Sequence, residues 1–289
     1  IKMTMLKRLI YVLLCCGFAH LAYGNTVAVE GLRCEYRENP VGIDERLPRL
    51  SWRLVSQDRG QLQSAYRIGV ASYKKLLDQN SFDLWDSQKI VSRQSLDIPY
   101  AGQPLTARQS CFWKVQVWSG DGRESAWSPM ASWEMGLPDA ADWQDASWIR
   151  LQKDTRSSPL TKRNIQTDAD PEPRVVESFP SPLFRREFAV KPDLVRARGY
   201  MSGLGYSELY INGCRISDAV LDPGQTTYDV RAFYVTHDIT QVLKPGGNAV
   251  GVMLGNGFYG QNLAFGVAAL ALGQPVLKAK FILDYADGT

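Results

Sequence analysis

Residues 66–70 and 113–117 alternate strictly between large apolar side chains and polar or small ones. Tyr66, Ile68 and Val70 fall on one side of an extended chain, with Arg67 and Gly69 on the other. Trp113, Val115 and Val117 share a side, opposite Lys114 and Gln116. Successive side chains of a strand point to opposite faces, so this period of two buries one face of a sheet. An amphipathic helix needs a period near 3.6 and cannot present the pattern on one side. Turn clusters punctuate the runs, at Gln57-Asp58-Arg59-Gly60 and Ser119-Gly120-Asp121-Gly122. Short strands broken by tight turns predict a β-sandwich of about 100 residues. A single short helical stretch is expected at 73–78, around Leu76 and Leu77.

The chain has 289 residues. Domains of roughly 100–150 residues make that length enough for two. We expect the first sandwich over 25–139 and a second β-domain over 140–289. The formal charge is +3, but Lys2, Lys7 and Arg8 belong to a segment expected to be removed. Without them the positive and negative charges balance. A neutral chain lacks the basic footprint that nucleic-acid binding requires, since phosphate neutralisation supplies most of that affinity.

Residues 1–24 have the form of a secretory signal. Lys2, Lys7 and Arg8 give a basic start, and 9–19 is apolar but shorter than the roughly 20 residues of a spanning helix. Ala22-Tyr23-Gly24 places small residues where a signal peptidase reads, so cleavage is expected after Gly24. The mature chain then has no transmembrane span and sits in the periplasm or outside the cell. Leu14 and Cys15 precede Cys15 and Cys16 and are bulkier than a lipid-anchor signal accepts. Of the two histidines only His237 remains, which excludes multi-histidine metal sites. No cofactor and no metal is expected. His237 has no partner pattern for a catalytic triad and reads as a strand residue near a turn. Cys34, Cys111 and Cys214 allow at most one disulfide, and all three are expected as buried small hydrophobes.

All eight tryptophans lie between Trp52 and Trp148. Trp52 and Trp113 are expected inside the first sandwich, and Trp118 or Trp127 on its surface. After Trp148-Ile149, residues 152–182 turn polar and Pro-rich and lose periodicity, so a long surface loop or insertion is expected there. Strand signals return at 184–190, 196–202, 206–211, 233–239, 249–254 and 278–285. Asn212-Gly213 is a strong hairpin turn. Tight turns between antiparallel strands predict a jelly-roll sandwich. Asp287-Gly288 closes the sequence on another hairpin turn, from which we expect the last domain to be incomplete.

The word order of the first segment resembles a fibronectin type III domain: Pro48-Arg49-Leu50-Ser51-Trp52, then 66–72, then 112–118 with the hairpin 122–128. The corner tyrosine expected six residues after Leu105 is replaced by Cys111. In the second segment, Phe184-Arg185-Arg186-Glu187-Phe188, Gly203-Leu204-Gly205-Tyr206, Leu209-Tyr210-Ile211-Asn212-Gly213, Leu221-Asp222-Pro223-Gly224, Asp238-Ile239-Thr240 and Leu254-Gly255-Asn256-Gly257-Phe258-Tyr259 occur in that order. Together they resemble the N-terminal, galactose-binding-like jelly-roll domain of bacterial α-L-rhamnosidases, glycoside hydrolase family 78. The sandwich in front, with Asp83-Leu84-Trp85-Asp86-Ser87, resembles the domain those enzymes carry before it.

The resemblance implies hydrolysis of terminal α-linked L-rhamnose with inversion, by two carboxylic acids about 6.5–9.5 Å apart. It places those acids on a helical barrel downstream, which 289 residues of β-pattern do not contain. No catalytic residue is therefore expected in this chain, and its expected partner is a rhamnose-containing carbohydrate. Two other readings stand beside this one. A stand-alone carbohydrate-binding or adhesion protein would contact sugar through Asn256, Phe258 and Tyr259, which combine an amide with aromatic faces. A nucleotide-binding protein would use Gly255-Asn256-Gly257-Phe258-Tyr259-Gly260, a literal GxGxxG after a strand, with a short helix over 263–272.

Overall fold

The computed structural model describes residues 27–152, 181–260 and 272–289, and the backbone alone of 163–167, 170–176, 263–264 and 267–268. The leader and most of the polar segment 152–182 lie outside the described residues.

Nine strands build the first half: β1 (Ala28–Cys34), β2 (Val41–Ile43), β3 (Arg49–Val55), β4 (Gln63–Ala71), β5 (Trp85–Asp86), β6 (Ile90–Val91), β7 (Ile98–Pro99), β8 (Ser110–Ser119) and β9 (Ala131–Met135). One sheet has the order β1-β3-β7, the other β2-β9-β8-β4-β5 with β6 also on β4. The alternating faces predicted for β4 and β8 meet between the sheets, where Ile68, Val70, Trp113, Val115 and Val117 are fully buried. Trp52 and Trp133 complete that core from β3 and β9. The expected helical stretch is α1, Lys74–Asp78.

Tyr100 takes over the tie that a corner tyrosine would make at Cys111. Its buried hydroxyl lies 2.9 Å from the Gln103 carbonyl and 3.2 Å from that of Leu84. Cys34 and Cys111 are buried free thiols, with burial raising the pKa of each. Cys214 corrects the sequence expectation, being free but exposed. It sits on a two-residue edge strand just past the Asn212-Gly213 turn, where no second layer covers it. Trp118 is also a correction, since it is buried. Residues 124–128 fold back along the end of β8, with Ser125 bonded to Val117, and the Lys89 ammonium lies 4.3 Å from the Trp118 ring centroid. Trp127 is half-buried, with Arg67 and Lys114 at 5.7 and 5.1 Å from its ring.

The second half continues with β10 (Arg163–Thr167), β11 (Asp170–Val176), β12 (Leu183–Val190), β13 (Leu194–Leu204), β14 (Tyr206–Ile211), β15 (Cys214–Arg215), β16 (Val235–Asp238), β17 (Gly246–Gly255), β18 (Leu263–Ala264), β19 (Val267–Ala268) and β20 (Val276–Tyr285). The backbones of β10 and β11 pair as an antiparallel ribbon where the sequence reading expects an irregular loop. Their β-branched residues, Ile165, Thr167, Val175 and Val176, favour the extended chain despite the prolines nearby. Two antiparallel sheets, β12-β17-β14-β15 and β16-β13-β20, enclose a core of Met201, Leu209, Ile211, Ile239, Val252 and Leu254. Asn212 and Gly213 form the β14–β15 turn with φ of 51° and 84°, the left-handed pair such a turn needs.

The two halves meet along the β16-β13-β20 sheet. Arg198 on β13 reaches Glu134 on β9 through bonds of 2.8 and 3.0 Å. Asp284 on β20 receives Arg108 at 2.5 Å and Arg196 at 2.7 Å. The Tyr234 hydroxyl donates to the Asp44 carboxylate and accepts the Leu137 N–H at 2.7 Å. Trp143, in the connecting segment, packs edge-on to Tyr234 with ring centroids 5.1 Å apart.

Candidate functional site

The residues singled out for sugar contact lie in the turn that ends β17. Strand β17 runs between β12 and β14, and its last residue, Gly255, pairs with Tyr206 at the start of β14. The chain then turns tightly, with the Gly260 N–H bonded to the Asn256 carbonyl at 2.8 Å. Two glycines make that turn possible. Gly257 has φ of 49° and Gly205 has φ of 128°, and a side chain at Gly205 would overlap the Gly255 carbonyl. Backbone therefore packs on backbone where the two ends meet.

The structure brings Asn256, Phe258 and Tyr259 to one loop but gives the two rings different neighbours. Phe258 is 38% exposed and stands edge-on to Tyr206, at 6.5 Å between centroids. Tyr259 is half-buried and edge-on to Tyr228, at 5.3 Å. Burial raises the Tyr228 pKa, with Tyr206 nearby adding to it. Tyr206 and Tyr228 are the aromatic residues that the sequence reading of the site missed. The only signal for Tyr206 was its place after the Gly203-Leu204-Gly205 run, and Tyr228 stands in a loop without periodicity.

A shallow depression opens at the other end of β17, lined by Glu187, Phe188, Asn212 and Asn248. Its amides are committed to the fold. Asn212 bonds Asn248 at 2.9 Å, and Asn248 bonds the Lys244 carbonyl at 2.7 Å.

The dinucleotide reading of Gly255–Gly260 is overturned by the topology. Strand β17 is antiparallel to both its neighbours, whereas that site needs a parallel strand leading into a helix N-terminus. The backbone described in the stretch expected as helix, β18 and β19, is extended and paired. The approach a phosphate would need is occupied by Gly205 packed on the glycine turn.

His237 lies on β16, buried, opposite Gly199 of β13. Burial lowers its pKa, and the nearby Asp222 works against that shift. Among the described residues its Nε2 has no hydrogen-bond partner, and no group of three or more His, Cys, Asp or Glu could hold a metal ion. No helix of the described residues is long and apolar enough to cross a membrane.

Comparison with known proteins agrees with this architecture in both halves. Residues 29–139 match the family described as Rha78A-like, N-terminal immunoglobulin domain, and residues 192–289 match the α-L-rhamnosidase N-terminal domain. An α-L-rhamnosidase of Formosa agariphila is 39% identical over 258 residues, covering 88% of this chain and 27% of that protein. One of Alteromonas sp. is 34% identical over 253 residues, covering 87% of this chain and 26% of its own length. The structure of the α-L-rhamnosidase from Dictyoglumus thermophilum superimposes with a TM-score of 0.76 at 33% identity, over 91% of this chain and 28% of that one. The chain thus spans about a quarter of the length of the relatives it matches. Two sandwiches in this order, each matched by its own domain family and together by full relatives, place the chain in the α-L-rhamnosidase family, of which it carries the N-terminal β-domains.

Proposed function

We propose that the chain forms the N-terminal, non-catalytic part of a secreted α-L-rhamnosidase, acting on terminal α-linked L-rhamnose of a rhamnose-containing carbohydrate. The observation that carries this reading is the tandem match of two rhamnosidase N-terminal domains, in a chain about a quarter the length of its relatives. Hydrolysis would proceed with inversion, on two carboxylic acids about 6.5–9.5 Å apart in a helical barrel outside this sequence. No residue of this chain takes either role. Export to the periplasm or beyond rests on the basic and apolar character of residues 1–24.

An aryl α-L-rhamnoside incubated with this chain should release no phenol, and measurable turnover would overturn the reading. A reading frame that runs past Thr289 into a helical, acid-rich region is expected, and its absence would remove the catalytic part of the proposal. Within the chain, Asn256, Phe258 and Tyr259 are the proposed sugar contact, because Phe258 offers a partly open ring on the turn they share. Phe258→Ala should then weaken glycan binding measured by calorimetry. Binding at full strength by this chain, without any such continuation, would favour the stand-alone carbohydrate-binding protein.

A further inference from the structure

We infer that the two sandwiches form one rigid body, in which the β16-β13-β20 sheet is an interaction surface fitted to the first sandwich and Tyr234 is the positioning residue that sets their orientation. Domains joined in one chain move relative to each other by default, unless their interface is large and apolar. Here the interface is held by steric fit and by directional polar contacts.

The steric argument comes first. Gly136 follows β9 and does not have the positive φ that would itself require glycine. A side chain at this position would overlap the Tyr234 hydroxyl and the Asp44 carboxylate. Its bareness is required by what packs against it. Gly42 on β2 has a φ of 79° that itself favours glycine, and a side chain there would also overlap Thr236, the second residue of β16. Two gaps in the first sandwich therefore receive two side chains of the second.

The polar contacts add direction. The Tyr234 hydroxyl uses its proton on Asp44 and a lone pair on the Leu137 N–H, so rotation or sliding of the interface breaks both bonds. Glu134 is 6% exposed, and among the described residues its side-chain partners, Arg198 and Arg196, both come from the second sandwich. Asp284 receives one arginine from each sandwich. Glu134 and Arg198, the buried members of this set, are satisfied in a single arrangement and left unpaired in its neighbours.

Calorimetry of the whole chain should show one transition, with equal van't Hoff and calorimetric enthalpies. Gly136→Ala should split that transition and speed proteolysis within 137–149 by about tenfold or more. At a site with ordinary φ and free space, the same change is neutral or stabilising. Gly247→Ala, where an added methyl meets nothing, serves as the control and should leave both readouts unchanged. Adding Tyr234→Phe to Gly136→Ala removes the overlapping hydroxyl and should restore part of the single transition. Two separate transitions in the unmodified chain would overturn the inference. So would a Gly136→Ala variant that behaves as the parent, or a double variant no better than Gly136→Ala alone. Should Gly136→Ala fail to fold, the count of transitions in the unmodified chain decides.

Discussion

Glu134 and Arg198 face each other across the junction of the two sandwiches as a fork-to-fork pair, with side chains 6% and 10% exposed. Removing one member of such a pair strands the other, at a cost of about 3–5 kcal/mol. Asp238 stays on Arg198 at 2.7 Å and softens the loss. Glu134→Ala is therefore expected to lower stability by about 3 kcal/mol, read from the urea midpoint at unchanged slope.

His237 makes stability depend on pH. Its folded pKa is lowered by burial from the ordinary 6.5, so the unfolded chain binds the proton more readily. Stability from this residue is complete above about pH 6.5 and is lost as pH falls from there toward the folded value. Asp222, raised by its own burial, works in the opposite sense at lower pH. His237→Gln should flatten the fall in thermal midpoint between about pH 7 and pH 5.

Tyr100 holds two loop carbonyls from inside the core. Tyr100→Phe keeps the ring contacts with Trp85 and Trp133 and removes only the hydroxyl. A loss of about 1–1.5 kcal/mol is expected from chemical denaturation.

Gly205 tests the glycine turn. Its φ of 128° is open to glycine alone, and the Gly255 carbonyl fills the space a side chain would need. Gly205→Ala should cost about 2–4 kcal/mol, seen as a lower thermal midpoint. Phe258→Ala, on the exposed side of the same turn, should cost well under that.

The strand faces were legible because alternation and burial coincide: Ile68, Val70, Trp113, Val115 and Val117 are all fully buried where the pattern placed them. Asn212-Gly213 was legible because that turn needs two left-handed residues and few sequences supply them. The junction was not legible. Nothing in the sequence singles out Glu134, Arg196 or Arg198 as buried, since local pattern says nothing about a partner more than sixty residues away. Trp118 was missed for a similar reason, because the segment that covers it is a fold-back rather than a strand neighbour. At the β17 turn, the sequence located Phe258 and Tyr259 but not the tyrosines they meet, which arrive from β14 and from an irregular loop.

The slot at Gly136 also bears on how such a chain can change over generations. A bulkier residue there needs position 234 to shed its hydroxyl and the Asp44 carboxylate to swing aside, and loss of that hydroxyl first leaves Asp44 and the Leu137 amide without that partner. Neither order of the two steps is free of cost, so the pair is held in sign epistasis. Grafting either β-domain onto a foreign neighbour would therefore require the new partner to supply the missing half of the slot, a bare position for Tyr234 or a fitting side chain for Gly136.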